Sequence, residues 1–229
     1  MFCRRGTNLS HDYTGILIGI LVLLITACSD NSTNSNGDSS TQALTIEAEV
    51  PGYELGAQDL YQSEDFVDLI EGSIDEEGTL TVNFLSGEAI AEALKPLADD
   101  TDVFVGMYCR EEIMGQVDSN HLFVDVNLFN FTYGEDNNTG AIGLSSNMTN
   151  RNVYPPQSDT KGDYQVRWIY ASQEITISEN CQIESDKTEE VNVEFTKGWN
   201  EVIFDVSDRD NKKMYTGNRP SGVNWVIGT

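Results

Sequence analysis

Apolar and polar residues alternate with a period of two along most of the chain beyond residue 43. The alternation is regular over residues 44–50, 79–84, 122–131, 164–170, 191–196 and 223–227. It is less regular over residues 66–74, 102–109, 175–177 and 199–206. A period of two places successive side chains on opposite faces of a β-strand. The pattern therefore predicts about ten strands, separated by turns rich in Gly, Asn and Asp.

The alternating strands have one polar face each, which is typical of antiparallel sheets with one face in water. The sequence therefore predicts an all-β domain, an antiparallel β-sandwich, with a barrel as the alternative. One short helix is predicted at residues 87–95, with Ser86 as its cap and Ile90, Leu94 and Leu97 on one face. Pro96 limits its extent. With no internal repeat and no second linker, residues 44–229 are expected to form a single domain.

The first 27 residues have the pattern of an export signal. Arg4 and Arg5 precede a stretch at 16–27 that is apolar except for Gly19 and Thr26. Twelve helical residues span about 18 Å, which is well short of the ~30 Å hydrocarbon core of a bilayer. We therefore interpret residues 1–27 as a signal peptide and not as a permanent transmembrane helix.

The end of this stretch, Ile25-Thr26-Ala27-Cys28, resembles the lipobox of bacterial lipoproteins. Ile25 stands where Leu is most common in that family. The resemblance implies cleavage after Ala27, diacylation of the Cys28 sulfur and a membrane anchor, because two or three acyl chains hold a protein stably on a bilayer. Ser29 directly after the cysteine implies the outer membrane if the host is Gram-negative. An ordinary secretory signal with a chance cysteine is the alternative.

The residues that follow Cys28 have the composition of a tether. Residues 29–42 contain no apolar side chain, so no burial can offset the entropy of ordering them. Fourteen flexible residues reach roughly 20 Å on average. Residues 28–43 are therefore predicted to be a lipidated cysteine followed by a flexible tether, which holds the domain clear of the lipid headgroups.

Two cysteines remain after the signal peptide and the lipidation site, Cys109 and Cys181. In an exported domain such a pair favours a disulfide over two buried thiols. Neither cysteine has a neighbour at the spacing of a zinc site. We predict a Cys109–Cys181 bridge.

Charge and motif content narrow the possible activities. The chain has 13 Lys+Arg against 38 Asp+Glu, a formal charge of −25, which argues against nucleic-acid partners. The mature chain has one histidine, His121, and it lacks nucleophile-elbow, multi-histidine metal and phosphate-loop motifs. The sequence predicts no catalytic residue, no cofactor and no metal. Paired carboxylates of a polysaccharide hydrolase stay open because the acids are too numerous to nominate a pair.

Calcium is the one ion for which candidate ligands are present. Asp205, Asp208 and Asp210 place oxygen ligands on one turn. The glycine and terminal glutamate of a twelve-residue calcium loop are missing, and Arg209 interrupts the cluster. A polar hairpin turn is the favoured interpretation.

Aromatic residues are the remaining candidates for ligand binding, and we single out Trp199 and Tyr154. Trp168 and Trp225 lie within apolar alternations and are assigned to the core. The stretch from Lys197 to Val202, Lys-Gly-Trp-Asn-Glu-Val, is similar to one in many exported bacterial β-proteins, which implies only the fold.

Three functions remain open. The first is a non-catalytic binding or structural lipoprotein with a protein or glycan ligand. The others are an envelope polysaccharide hydrolase and a lipocalin-like carrier with an apolar cavity.

Overall fold

The computed structural model of the chain describes most of the predicted domain, in six stretches. They are residues 44–64, 66–97, 109–134, 137–145, 164–208 and 210–228. The predictions for the signal peptide, Cys28, the tether, Tyr154 and the strand over residues 102–108 lie outside them.

The described residues form sixteen β-strands, a 3₁₀ helix and an α-helix, so the all-β prediction is confirmed. The strands are β1 (Thr45–Glu49), β2 (Gln58–Leu60), β3 (Ser63–Glu64), β4 (Val67–Asp68), β5 (Ile70–Ile74), β6 (Thr79–Phe84), β7 (Lys95–Pro96), β8 (Leu122–Val126), β9 (Phe129–Tyr133), β10 (Asn138–Ser145), β11 (Tyr164–Ala171), β12 (Ile175–Glu184), β13 (Lys187–Phe195), β14 (Gly198–Asp205), β15 (Asn211–Thr216) and β16 (Asn224–Gly228). The 3₁₀ helix is Gly87–Ala93, and α1 is Arg110–Met114.

A small antiparallel sheet has the strand order β1-β6-β5-β2. Leu80, Val82 and Phe84 are buried on one face of β6, while Thr79 and Asn83 are exposed on the other. This is the alternation that the sequence predicts. Strands β3 and β4 form a separate hairpin between β2 and β5.

The large sheet has the order β12-β13-β15-β14-β11-β10-β16, with β8 also paired to β11 and β9 paired to β10. The strand predicted over residues 122–131 is thus divided at Asn127 and Leu128, because its two halves pair with different neighbours. One pairing also differs from the expected antiparallel pattern: β13 and β15 run parallel. Strand β14 follows β13 in the chain but pairs with β15 on the side opposite β13, so β15 lies between them in the sheet.

The two sheets pack face to face around an aromatic core. Phe84 of the small sheet contacts Trp168 of the large sheet at 5.6 Å between ring centroids, and Trp168 stacks on Trp225 at 5.9 Å. Trp168 and Trp225 are therefore core residues, as the sequence indicates. Backbone hydrogen bonds of 2.9 Å in both directions join Tyr61, just after β2, to Asn130 of β9. The sandwich is thereby linked along one edge, and the large sheet curls like half of a barrel.

The opposite face of the large sheet carries a second core, which corrects the expectation of one polar face per strand. Phe123, Ile169 and Val202 are buried on that face and pack with Ile113 of α1. Strand β11 is buried on both faces from Trp168 to Ala171. Alternation of apolar and polar residues disappears where both faces are covered, so the pattern of the outer strands does not extend to the centre.

The helices also differ from the prediction. The segment predicted as a helix over residues 87–95 is a 3₁₀ helix that ends at Ala93, and the Ser86 side chain makes no cap hydrogen bond. Leu94 is extended, with φ −75° and ψ 126°, and Leu97 packs in the second core instead of beside Ile90. Pro96 disfavours helical geometry at Lys95, the residue before it, which is why the helix does not reach Lys95. The sequence pattern does not predict α1, because five residues are too few to show a helical period.

Candidate functional site

A shallow groove of about 400 Å³ lies over β13, β15 and β14, on the face of the large sheet that is opposite the second core. We call it the polar groove. Its lining residues are Glu190, Asn192, Asp205, Lys213, Met214, Tyr215 and Thr216.

The strand register brings these residues together. In the parallel pair, Glu190 lies beside Lys213 and Asn192 lies beside Tyr215. On the other side of β15, Asp205 pairs with Lys213. Because Val191, Val193 and Met214 are buried in the second core, the alternate positions of β13 and β15 lie on the opposite face of the sheet, at the groove. A rigid sheet thus fixes the spacing of polar side chains that are far apart in sequence.

The charges of the groove are partly compensated. The Lys213 ammonium lies 3.3 Å from Glu190 Oε2, and both side chains are about half exposed. One oxygen of Asp205 accepts a 2.9 Å hydrogen bond from the Ser207 backbone N–H. Two carboxylates and one ammonium give the groove a formal charge of −1. The exposed ion pair fixes side-chain positions more than it stabilises the fold.

Tyr215 connects the groove to the core between the sheets. Its ring is half-buried and packs against that core. Burial first, and then electrostatic repulsion from Asp205 and Tyr164, raise the pKa of the Tyr215 hydroxyl above its usual value. Tyr164 lies directly beside Asp205 in the register of β11 and β14. The groove therefore offers a protonated phenol and an amide, with a second aromatic ring, Tyr164, beside Asp205.

Trp199, a ligand-binding candidate from the sequence, lies away from the groove. Its ring is 4.9 Å from Phe84 and 5.5 Å from Tyr170, measured between centroids. Its indole N–H donates a 2.6 Å hydrogen bond to the Leu85 carbonyl. These contacts are those of a residue that joins the two sheets. Tyr154, the other candidate, lies outside the described residues.

The calcium candidates are hydrogen-bonded within their own turn. Asp208 Oδ1 accepts a bond from the Asp210 N–H at 3.0 Å, and Asp208 Oδ2 accepts one from Asn211 Nδ2 at 2.9 Å. With the Asp205–Ser207 bond, this is the geometry of a polar turn. Across the stretches that the structure describes, no cluster of three or more His, Cys, Asp or Glu is arranged to hold a metal ion.

The predicted disulfide is confirmed and lies next to a buried carboxylate. Cys109 is bonded to Cys181 across a Cα–Cα distance of 5.7 Å, so the bridge ties the start of α1 to β12. Glu189 is fully buried, and its Oε2 accepts a 3.2 Å hydrogen bond from the Cys109 N–H. The sequence analysis missed Glu189. The period-two pattern could have predicted its burial, because Glu189 lies on the same face of β13 as the buried Val191 and Val193.

Of the groove residues, the sequence pointed only to Asp205, as a calcium candidate; the others occupy polar positions of regular strands and were not predicted. Tyr164 and Tyr215 could have indicated the groove, because each places an aromatic ring on the face of the sheet that is opposite the second core. His121, the one histidine after the signal peptide, directly precedes β8 and is half-buried.

No helix among the described residues is long and apolar enough to cross a membrane. Comparisons of the chain with protein families, with curated proteins and with solved structures found no match.

Proposed function

We propose that the chain is an exported lipoprotein, anchored through Cys28, whose β-domain binds a neutral ligand at the polar groove without converting it. The observation that carries the binding role is the groove itself. Tyr215 and Asn192 supply hydrogen-bonding groups on a rigid sheet, beside the Glu190–Lys213 ion pair. Sites for small ligands commonly combine apolar surface with a few fixed polar groups.

The envelope location rests on three features of the chain. Residues 25–28 resemble a lipobox, the tether follows Cys28, and Cys109 is bonded to Cys181. Disulfides persist mainly in oxidising compartments, which for bacteria means outside the cytoplasm. In a Gram-negative host we place the protein in the outer membrane.

A neutral glycan fits the chemistry of the groove best. Sugar rings present apolar faces to aromatic side chains and hydroxyls to amides, carboxylates and phenols, as in the groove. The formal charge of −25 on the chain repels anionic ligands over a Debye length of about 8 Å at physiological salt. A protein ligand with a cationic surface is the other outcome that a binding screen can return.

A polysaccharide hydrolase is the competing function, because two carboxylates line the groove. Glycosidases place the scissile bond between an acid and a second carboxylate. Here Lys213 lies between Glu190 and Asp205 in the strand register and forms an ion pair with Glu190. This arrangement favours binding over cleavage. A carrier is less favoured, because the core between the sheets is packed with rings such as Phe129, Trp168 and Trp225.

Glycan binding is tested by screening the full chain against a panel of neutral envelope glycans and measuring the affinity of any that bind. We expect Asn192→Ala and Tyr215→Phe each to weaken binding by roughly two- to twelvefold, which corresponds to the ~0.5–1.5 kcal/mol net contribution of a hydrogen bond. Asn180→Ala is the matched control, since Asn180 is exposed on β12 outside the groove. Equal affinity of all three variants would place the ligand elsewhere.

Catalysis is tested on the same glycans by following the release of reducing ends. Turnover that is lost in Glu190→Gln or Asp205→Asn, but kept in Asn180→Ala, would replace the binding proposal with the hydrolase.

A further inference from the structure

The two large hydrophobic side chains that are exposed in the described residues lie at and just before the β3–β4 hairpin. Tyr61 is 42% exposed and Phe66 is fully exposed. Tyr61 lies just before the β3–β4 hairpin, and Phe66 lies in its two-residue turn, between Glu64 and Val67. The sequence analysis assigned Phe66 to a strand over residues 66–74, and the structure corrects this. Phe66 therefore gains no burial from the fold, and its ring is available for contacts outside it.

Phe66 also adopts a backbone conformation that suits a different residue. Its φ of 68° lies in the left-handed region, where Gly and Asn are the usual residues of a two-residue hairpin turn. The fold gains neither burial nor a favourable backbone from a phenylalanine at this position. A residue that breaks local rules without stabilising the fold points to a role outside it.

The position of the hairpin indicates what it contacts. Leu44, where the chain enters the described domain, accepts a 2.8 Å backbone hydrogen bond from Phe84 at one end of the small sheet. At the same end Leu69, directly after the hairpin, accepts a 2.9 Å bond from Leu85. Neighbouring strands are about 4.8 Å apart, so β1 and β5 are separated by roughly 10 Å. The hairpin and Leu44, which follows the predicted tether in the sequence, therefore lie at the same end of the small sheet.

We propose that Phe66 and Tyr61 insert into the surface of the bilayer to which Cys28 anchors the chain, and so fix the orientation of the domain on the membrane. This inference rests on the lipid anchor of the proposed function. Aromatic side chains favour the membrane–water interface. The tether reaches roughly 20 Å, which keeps the hairpin at a high effective concentration near the lipid, so a small insertion energy suffices.

The acidic residues of the hairpin determine which kind of lipid surface it can contact. Glu64, Asp65 and Asp68 flank Phe66 in the sequence. These residues are repelled by anionic headgroups and tolerated by zwitterionic ones. The surface that fits the hairpin is therefore neutral. With the hairpin on the bilayer, the small sheet stands next to the lipid at its Leu44 end, and its β5–β6 turn points away.

The test uses the lipidated full chain in phosphatidylcholine vesicles that contain brominated lipid, a quencher confined to the bilayer. Phe66→Trp carries the probe, and Glu77→Trp is the matched control in the exposed turn between β5 and β6, at the opposite end of the small sheet. The native tryptophans are packed around the core between the sheets and give a common background. We expect quenching of the added emission to be at least about twofold greater for Phe66→Trp. Replacing half of the lipid with phosphatidylglycerol at low salt should reduce that difference.

Vesicle flotation separates this inference from the anchor on which it rests. The lipidated chain should float with vesicles, and Cys28→Ser should not. A chain that fails to float overturns the anchor and the insertion together. A chain that floats but shows equal quenching for both tryptophan variants overturns the insertion alone and assigns the hairpin to a protein partner. Stronger quenching with phosphatidylglycerol would overturn the preference for neutral lipid. Unchanged melting temperatures of both variants confirm that the fold is intact.

Discussion

At the scale of single residues, the contact between Gly140 and Phe131 shows how tightly the core fits the backbone. Phe131 of β9 is fully buried opposite Gly140 of β10. A Cβ atom at position 140 would lie 2.4 Å from the nearest ring carbon. The ring cannot move away without disturbing Tyr53, whose centroid is 6.4 Å from it. The fold requires glycine at position 140 because the Phe131 ring leaves no space for a Cβ atom.

We therefore expect Gly140→Ala to lower the free energy of unfolding by about 1–3 kcal/mol, the usual cost of overpacking a core. Urea-induced unfolding of the variant and of the original chain measures this difference in free energy. Gly115→Ala is the control, because Gly115 has a helical φ of −68° and a Cβ there would meet its nearest neighbour at 3.4 Å. A loss as large for Gly115 as for Gly140 would contradict the explanation.

Two tyrosines make stability depend on alkaline pH. Burial raises the pKa of Tyr53, whose hydroxyl donates a 2.7 Å bond to the Gly56 carbonyl. Burial and Asp205 raise the pKa of Tyr215. Each hydroxyl therefore holds its proton more tightly in the folded state than in the unfolded state. Their contribution to stability is fully present below the unfolded pKa, about 10, and is lost as the pH rises through the folded pKa.

The expected result is a free energy of unfolding that falls between about pH 9 and pH 11. In a Tyr53→Phe/Tyr215→Phe variant the fall should be shallower. Between pH 6 and pH 8 the two proteins should show parallel profiles, since tyrosine is neutral there in both states. A double variant with the same alkaline slope as the original chain would rule out these two residues as the cause.

At the scale of elements, the disulfide attaches α1 to the edge of the large sheet. Helix α1 is five residues long, too short to be stable alone. The Cys109–Cys181 bond and Ile113, buried in the second core, hold one side of it. Gln116, just after the helix, donates a 2.6 Å hydrogen bond to Glu179 of β12. These contacts cover a face of the sheet that would otherwise be open.

Removing the bridge should therefore destabilise the domain. The bonded cysteines are 72 positions apart, for which the loop-entropy model gives about 4 kcal/mol. We expect Cys109→Ser/Cys181→Ser to lose about that much in urea-induced unfolding. Thiol titration of the denatured, unreduced Cys28→Ser chain without its signal peptide should find no free cysteine. Two titratable thiols would refute the bridge.

The elements also show how far the sequence alone can predict this structure. Alternation predicts β1, β6 and β13 because each has one covered face and one face in water. It does not predict strand partners, so the parallel pairing of β13 with β15 and the division of β8 from β9 were missed. Those features depend on contacts between residues distant in sequence. The polar groove was missed for the same reason, since Glu190, Lys213 and Asp205 become neighbours only through the sheet.

At the scale of the whole molecule, charge acts against the compact state. If each of the 13 basic residues neutralised one of the 38 acids, 25 acids would still lack a cation. Ion pairs such as Arg219–Glu201, at 2.6 Å, are stabilising and are weakened by salt. Exposed pairs contribute about 0.2–1 kcal/mol each. The excess of acids makes repulsion the larger effect, because folding brings the negative charges closer together.

We therefore expect added salt to stabilise the domain. Raising NaCl from 0.01 M to 0.15 M shortens the Debye length from about 30 Å to about 8 Å, which screens most of the repulsion between distant carboxylates. The free energy of unfolding, measured with uncharged urea, should rise by about 1 kcal/mol. Glu76→Gln/Glu77→Gln removes two exposed acids from the β5–β6 turn and should reduce the salt response. A stability that falls with salt would mean that ion pairs such as Arg219–Glu201 outweigh the repulsion.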